Sequence, residues 1–140
     1  MSTRGIRWGT GAANPAVPDN PLDAAVVRSA EEARAAVREQ IAHGADWIKL
    51  YPTGAYSFSP TGTPEFVLMY PMPVLQALID ETHRLGHKTA CHVLGGEGKH
   101  NAIVAGCDTI EHAYDLNQPE ADMIVAKGLP LASRHSTTPL

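Results

Sequence analysis

Only two cysteines, Cys91 and Cys107, occur among the 140 residues. That is too few for a disulfide framework, so both are expected to be small packing residues in a reducing, cytoplasmic setting. No apolar run approaches the roughly 20 residues that span a bilayer, which excludes a helical membrane protein. The opening MSTRGIRW carries two arginines but no apolar signal core, so no secretory leader is expected there. Basic runs are missing too: 11 Lys+Arg stand against 15 Asp+Glu, a net charge of −4. A nucleic-acid partner therefore has no electrostatic footprint. What remains is a globular profile, 44% apolar and 19% charged, long enough for one domain with a real core. Seven histidines are a high count for that length.

A single domain over 1–140 is expected, with residues 1–28 mostly loop. Glycines, prolines and asparagines crowd 5–21, leaving Ile6-Arg7-Trp8 as the tail of a strand. From Ser29 the signals sharpen. Ser29 and Glu32 form an S-x-x-E capping pattern before a helix that Gly44 closes. A buried strand is predicted over 45–51, then a second long loop over 52–70. Leu75, Leu78, Ile79, Thr82 and Leu85 share one face of a helix over 71–85, stopped by Gly86. A strand over 88–93 leads through Gly95-Gly96-Glu97-Gly98 into a short helix ending at Gly106. A strand over 108–112, a helix over 119–127 closed by Gly128, and a strand over 129–133 complete the chain. Gly95-Gly96-x-Gly98 could cradle an anion at a helix start, but a plain strand-to-helix turn is preferred.

The register carries more than the elements do. Each of four glycines, Gly44, Gly86, Gly106 and Gly128, closes a helix and precedes a strand. A polar residue follows each at a similar distance: Lys49, His92, His112 and Arg134. Such alternation implies parallel strands with crossover helices, and the functional face of such folds lies at the C-terminal strand ends. Four units make about half of a (β/α)8 barrel of ~250 residues, so either an open sheet or part of a larger barrel is expected.

Strand alternation puts Trp47, Lys49 and Tyr51 on one face, with Ile48 and Leu50 opposite. Ala90 and His92 share a face with Cys91 opposite, and Ile110 and His112 share a face. An inward lysine needs a partner, because an unpaired buried ammonium costs several kcal/mol. Two histidines on the same rim suggest a divalent metal, which a lysine carbamate could bridge. Taken singly, Lys49 could snorkel to solvent, and either histidine could be structural. The joint pattern favours a site. His83 and His87 straddle the helix-breaking Gly86 and are not expected to form a metal pair. His43 and His100 look like helix-surface residues, and His135 has no assigned role.

The G-A-D-x-I-K strand, H-x-x-G-x-E-G and D-x-I-E-H together resemble the amidohydrolase superfamily over about 5–131. The nearest branch is that of the imidazolonepropionases and the Xaa-Pro or Xaa-Arg dipeptidase-like enzymes. The resemblance implies a (β/α)8 barrel with one or two divalent ions, Zn²⁺ first among them. The family's ligands are an H-x-H after strand one, a carboxylated lysine after strand four, histidines after strands five and six, and an aspartate after strand eight. By resemblance Lys49, His92 and His112 match the lysine and the two later histidines, as catalytic and metal residues. Tyr51 is a candidate substrate contact at the entrance.

This sequence departs from the pattern in having no H-x-H and no strand-eight aspartate. Leu94 stands where many relatives have a second strand-five histidine. The chain is thus expected to be about strands three to seven of a partial α/β barrel. The implied function is hydrolysis of carbon–nitrogen bonds in amide, cyclic amide or dipeptide-like substrates. A homo-oligomer or a complementing barrel half would be its partner. Two alternatives stay open: a Schiff-base aldolase-like barrel using Lys49 as an amine nucleophile, and an inactive barrel fragment.

Overall fold

In the computed structural model, residues 2–8 and 24–132 are described. Six strands form one parallel sheet in the order β2-β1-β3-β6-β7-β8. They are β1 (Thr3–Trp8), β2 (Ala24–Val27), β3 (Trp47–Leu50), β6 (Lys88–Val93), β7 (Thr109–His112) and β8 (Leu131–Ala132). β4 (Thr53–Phe58) and β5 (Pro64–Leu68) make a separate antiparallel hairpin. The helices α1 (Ala30–Ala42), α2 (Met72–Arg84), α3 (Gly96–Ala105) and α4 (Gln118–Lys127) pack in a row, each on the next. The parallel α/β architecture read from the helix-glycine-strand alternation is the one observed.

The helix boundaries follow local chemistry. Ser29 caps α1 by accepting from the Glu32 N–H at 3.1 Å, while the Glu32 carboxylate accepts from the Arg28 N–H at 2.7 Å. Asn117 and Glu120 cap α4 reciprocally, and Gly128 ends it in the left-handed conformation that a side chain would disfavour. The core forms where the sheet meets this helix row. Ile48, Leu50, Val93 and Ile110 face Val37, Leu75, Leu78, Ile79 and Ile103, all within one buried cluster. Each such side chain contributes about 1.5–3 kcal/mol when fully buried.

Three expectations change. Strands occupy both ends of the stretch 1–28, while the loop expected between them falls outside the described residues. β1 is held by tertiary contacts rather than by its own propensity, with Gly5 in its middle. It pairs with strands on both sides, Ile6 is fully buried, and the buried Tyr70 hydroxyl donates to the Ile6 carbonyl. Second, the 52–70 stretch is not a plain loop: it contains the β4–β5 hairpin, and its Pro60-Thr61-Gly62 turn signal sits in the tight connection between the strands. Third, Cys91 and Cys107 are joined by a disulfide, with Cα atoms 6.3 Å apart. Cys91 faces away from His92 into the helix layer, where it meets the residue after Gly106. The bond removes the ground for expecting a reducing setting. Among the described residues no helix is long and apolar enough to cross a membrane.

Candidate functional site

Lys49 leaves the middle of the sheet near its C-terminal edge, between Gly5 of β1 and Ala90 of β6. Its neighbours Ile48 and Leu50 are fully buried against helices, so alternation turns Lys49 to the opposite, inner face. There its ammonium contacts the Glu111 carboxylate. Burial pushes the Lys49 ammonium below its ordinary range, and the Glu111 charge opposes that push.

Glu111 was not among the residues picked out from the sequence, although it lies inside D-x-I-E-H. The ladder shows why it belongs here: His92 pairs with Glu111, and Val93 with His112. Ile110 is fully buried in the helix layer, so Thr109 and Glu111 take the inner face. The signal was therefore available, because Ile110 is apolar like Ile48 and Leu50. The expected sharing of one face by Ile110 and His112 is thereby corrected. His112 reaches the rim by another route. Its φ of 78° and that of Ala113, 48°, leave the strand conformation and break the alternation. Non-glycine residues held in this region are strained, a feature that clusters at functional sites. The His112 ring then lies 4.8 Å from the His92 ring, centroid to centroid.

One ligand atom each of His92, Glu111 and His112 lie within 4.8 Å of one another. Burial first, then the nearby His112 and the Lys49 charge, hold His92 below its ordinary titration range. A neutral imidazole is the metal-binding form. Two imidazoles and a carboxylate are a donor set suited to zinc or a similar divalent ion. The residues present thus fit the expected group.

Tyr51, one residue past β3, sets its ring 6.0 Å from that of His92, and its N–H donates to the Tyr70 hydroxyl at 3.2 Å. A cavity of about 220 Å³ opens between Tyr51, Thr53, Met69 and His92. A second, of about 470 Å³, lies along the inner sheet face between Thr3, Trp47, Lys49, Ala90 and Glu111.

The glycine-rich turn after β6 is a packing turn. A β-carbon on Gly98 would collide with the Pro52 carbonyl, so α3 can start this close beneath β4 only with glycine there. The Gly96 N–H already donates to the Asp115 carboxylate at 3.1 Å. Asp115 is tied in turn to the buried Lys99 ammonium at 2.7 Å, which also pairs with Glu120 at 2.8 Å. Burial raises the Asp115 titration range, but its bonds to Lys99 and Gly96 outweigh this and leave it lowered.

The remaining histidines lie elsewhere. His83 bonds Asp108 at 2.7 Å, whereas His87 meets the Asp46 carbonyl at 3.2 Å, so the two do not converge. His43 is exposed at the end of α1, and His100 lies 3.6 Å from Glu120. Arg134 and His135 fall outside the described residues.

No family model matches the chain. Ochratoxinase of Aspergillus niger is 31% identical over 129 residues, 92% of this chain and 24% of that enzyme. Its crystal structure superposes with a TM-score of 0.74 at 24% identity, over 91% of this chain and 33% of that one. A Xaa-Pro dipeptidase, solved with methionine bound in its active site, matches at 28% identity and a TM-score of 0.71. That match covers 91% of this chain and 32% of the dipeptidase. The chain therefore spans about a quarter of the length of the curated relatives and a third of these solved structures. With its parallel strand order, the H-x-x-G-x-E-G and D-x-I-E-H strand ends and relatives that are hydrolases, the chain is similar to a segment of the amidohydrolase barrels.

Proposed function

We propose that this chain supplies Lys49, His92 and His112 to the metal site of a hydrolase that cleaves carbon–nitrogen bonds in amide, cyclic amide or dipeptide-like substrates. The observation that carries this is the convergence of Lys49, His92, Glu111 and His112 at the C-terminal edges of three adjacent parallel strands. His92 and His112 would hold the ion as neutral imidazoles. Lys49 would join them as a carbamate, formed when its neutral amine adds CO2 and releases a proton. Glu111, freed from its ion pair by that change, would be left to accept a proton at its carboxylate. Tyr51 and the wall of the smaller cavity would orient the substrate. A divalent ion bound there would polarise an amide carbonyl and lower the pKa of water. No serine or cysteine nucleophile is then required, and both cysteines are committed to the disulfide.

The relatives named for ochratoxin and Xaa-Pro substrates support an amide or dipeptide-like substrate for this chain as well. The test uses the full-length protein: zinc content by elemental analysis, and amide and dipeptide hydrolysis with and without chelator. Hydrolysis that chelator and His92→Ala each abolish is the expected result. Activity that survives both overturns the assignment. A Schiff-base lysine is the second reading, favoured by the depressed titration range of Lys49. It predicts a borohydride-trapped adduct between Lys49 and an aldehyde substrate.

A further inference from the structure

Beside the His92–His112 rim is a cavity of about 460 Å³ that the proposed chemistry does not use. Four segments converge on it. Tyr56 and Phe58 come from β4, Phe66 from β5, Leu94 from the end of β6, and Tyr114 and Asp115 from the loop after β7. The volume suits a drug-sized group. We propose that this cavity is an apolar subsite that takes an aromatic group of the substrate, next to the bond to be cleaved. Its place in a reaction rests on the hydrolase function proposed above.

Three observations select an aromatic occupant. The first is continuity with the site. Leu94 and Tyr114 each follow a rim histidine by two residues, and the Tyr114 ring stacks on His112 at 6.0 Å and 20°. A group seated here would lie against the Tyr114 ring, whose stacking partner is His112. The second is the wall itself. Tyr56 meets Phe58 edge-on at 5.7 Å and Phe66 at 6.4 Å. Such rings add offset and edge-to-face contacts that an aliphatic group cannot match. Yet Tyr56, Phe58 and Tyr114 stand 55%, 64% and 63% exposed, an apolar cluster of the kind that marks a binding surface. The third is charge. Asp115 is the one ionic group on this wall among the described residues, and both its oxygens are engaged, by Lys99 and by the Gly96 N–H. The cavity thus offers no unpaired charge to an ionic ligand.

The wall is also braced. Phe66 packs against Gly95 and Gly96, where a β-carbon would intrude on its ring, and Thr53 Oγ1 donates to the Gly95 carbonyl at 3.0 Å. The hairpin is thereby anchored to the turn that follows His92.

Two readouts on the full-length protein test the subsite. In the first, N-acetyl-phenylalanine amide and N-acetyl-alanine amide are compared by kcat/KM. The phenylalanine compound should be preferred by roughly a hundredfold, and Phe58→Ser or Tyr56→Ser should cut that preference about tenfold. Val125→Ser, on the exposed face of α4, is the control and should change neither rate. In the second, binding of N-acetyl-phenylalanine amide is titrated calorimetrically to chelator-treated protein, where turnover plays no part. Saturable binding that weakens in Phe58→Ser and is blocked by the cavity-filling Leu94→Trp is expected. Circular dichroism and melting confirm that each variant folds. Binding that is lost in these variants, in a protein that hydrolyses no amide, would sustain the subsite while sinking the hydrolase reading. Failure of the wild type to bind, as when a second copy or another segment of the protein fills the cavity, overturns the subsite. So does binding that both variants leave unchanged.

Discussion

Individual side chains divide into those that alternation places and those that only a bend or a close approach explains. Lys49 was legible because Ile48 and Leu50 on either side are unmistakably core residues. Glu111 was missed because His112 was assumed to continue its strand, whereas a left-handed turn at His112 lets both residues reach the rim. That bend makes a prediction. His112→Asn keeps a residue tolerant of positive φ, whereas His112→Val should destabilise the fold further, by about 1–3 kcal/mol, because a β-branched side chain resists that conformation. Urea denaturation of the two variants compares them. Gly98 is the other residue-scale constraint. Gly98→Ala forces a carbon against the Pro52 carbonyl and should cost about 1–3 kcal/mol, read as a lowered melting temperature. Melting of Gly98→Ala at the wild-type temperature would show that β4 can move away from α3.

Between elements, two ties stand out, and neither follows from periodicity. Asp108 accepts from the Thr89 N–H at 2.8 Å and bonds His83 at 2.7 Å, joining β7, β6 and α2. Burial works to raise its titration range, but the bonds from His83 and Thr89 outweigh it and leave Asp108 below the usual carboxylate range. A carboxylate lowered on folding stabilises the protein above its ordinary pKa, and that contribution is lost as pH falls through the lowered value. Stability should therefore decline on acidification below about pH 4, and Asp108→Asn should flatten that decline. An acid limb of pH-dependent denaturation that Asp108→Asn leaves unchanged would contradict this. The Cys91–Cys107 disulfide is the second tie and closes a loop of 16 residues beneath the two histidine-bearing strands. Loops of that length contribute about 3 kcal/mol in the chain-entropy account. The double variant C91A/C107A should lose stability of that order, and reductant should lower the melting temperature of the wild type but not of the variant.

At the scale of the whole molecule, the helices cover one side of the sheet, while Trp47, Lys49 and Ala90 line an open cavity on the other. Among the described residues nothing covers the inner face, and this face and the short outer strands β2 and β8 invite completion. This chain, produced alone, is expected to self-associate or to gain solubility when co-expressed with a complementing barrel half; light scattering distinguishes the two, and a monomer that melts cooperatively would contradict both. By itself the sequence determined the fold class, the four helix-closing glycines and the strand-end positions of Lys49, His92 and His112, because periodicity, caps and left-handed glycines are local signals. Only the tertiary structure decided that the strand at Ile6 extends back through Gly5 and lies inside the sheet, that Glu111 meets Lys49, that Cys91 meets Cys107 and that the hairpin rings close a cavity next to Tyr114. Each of these depends on lateral register between segments far apart in the chain, and register is set by which faces bury together rather than by any one segment's own pattern.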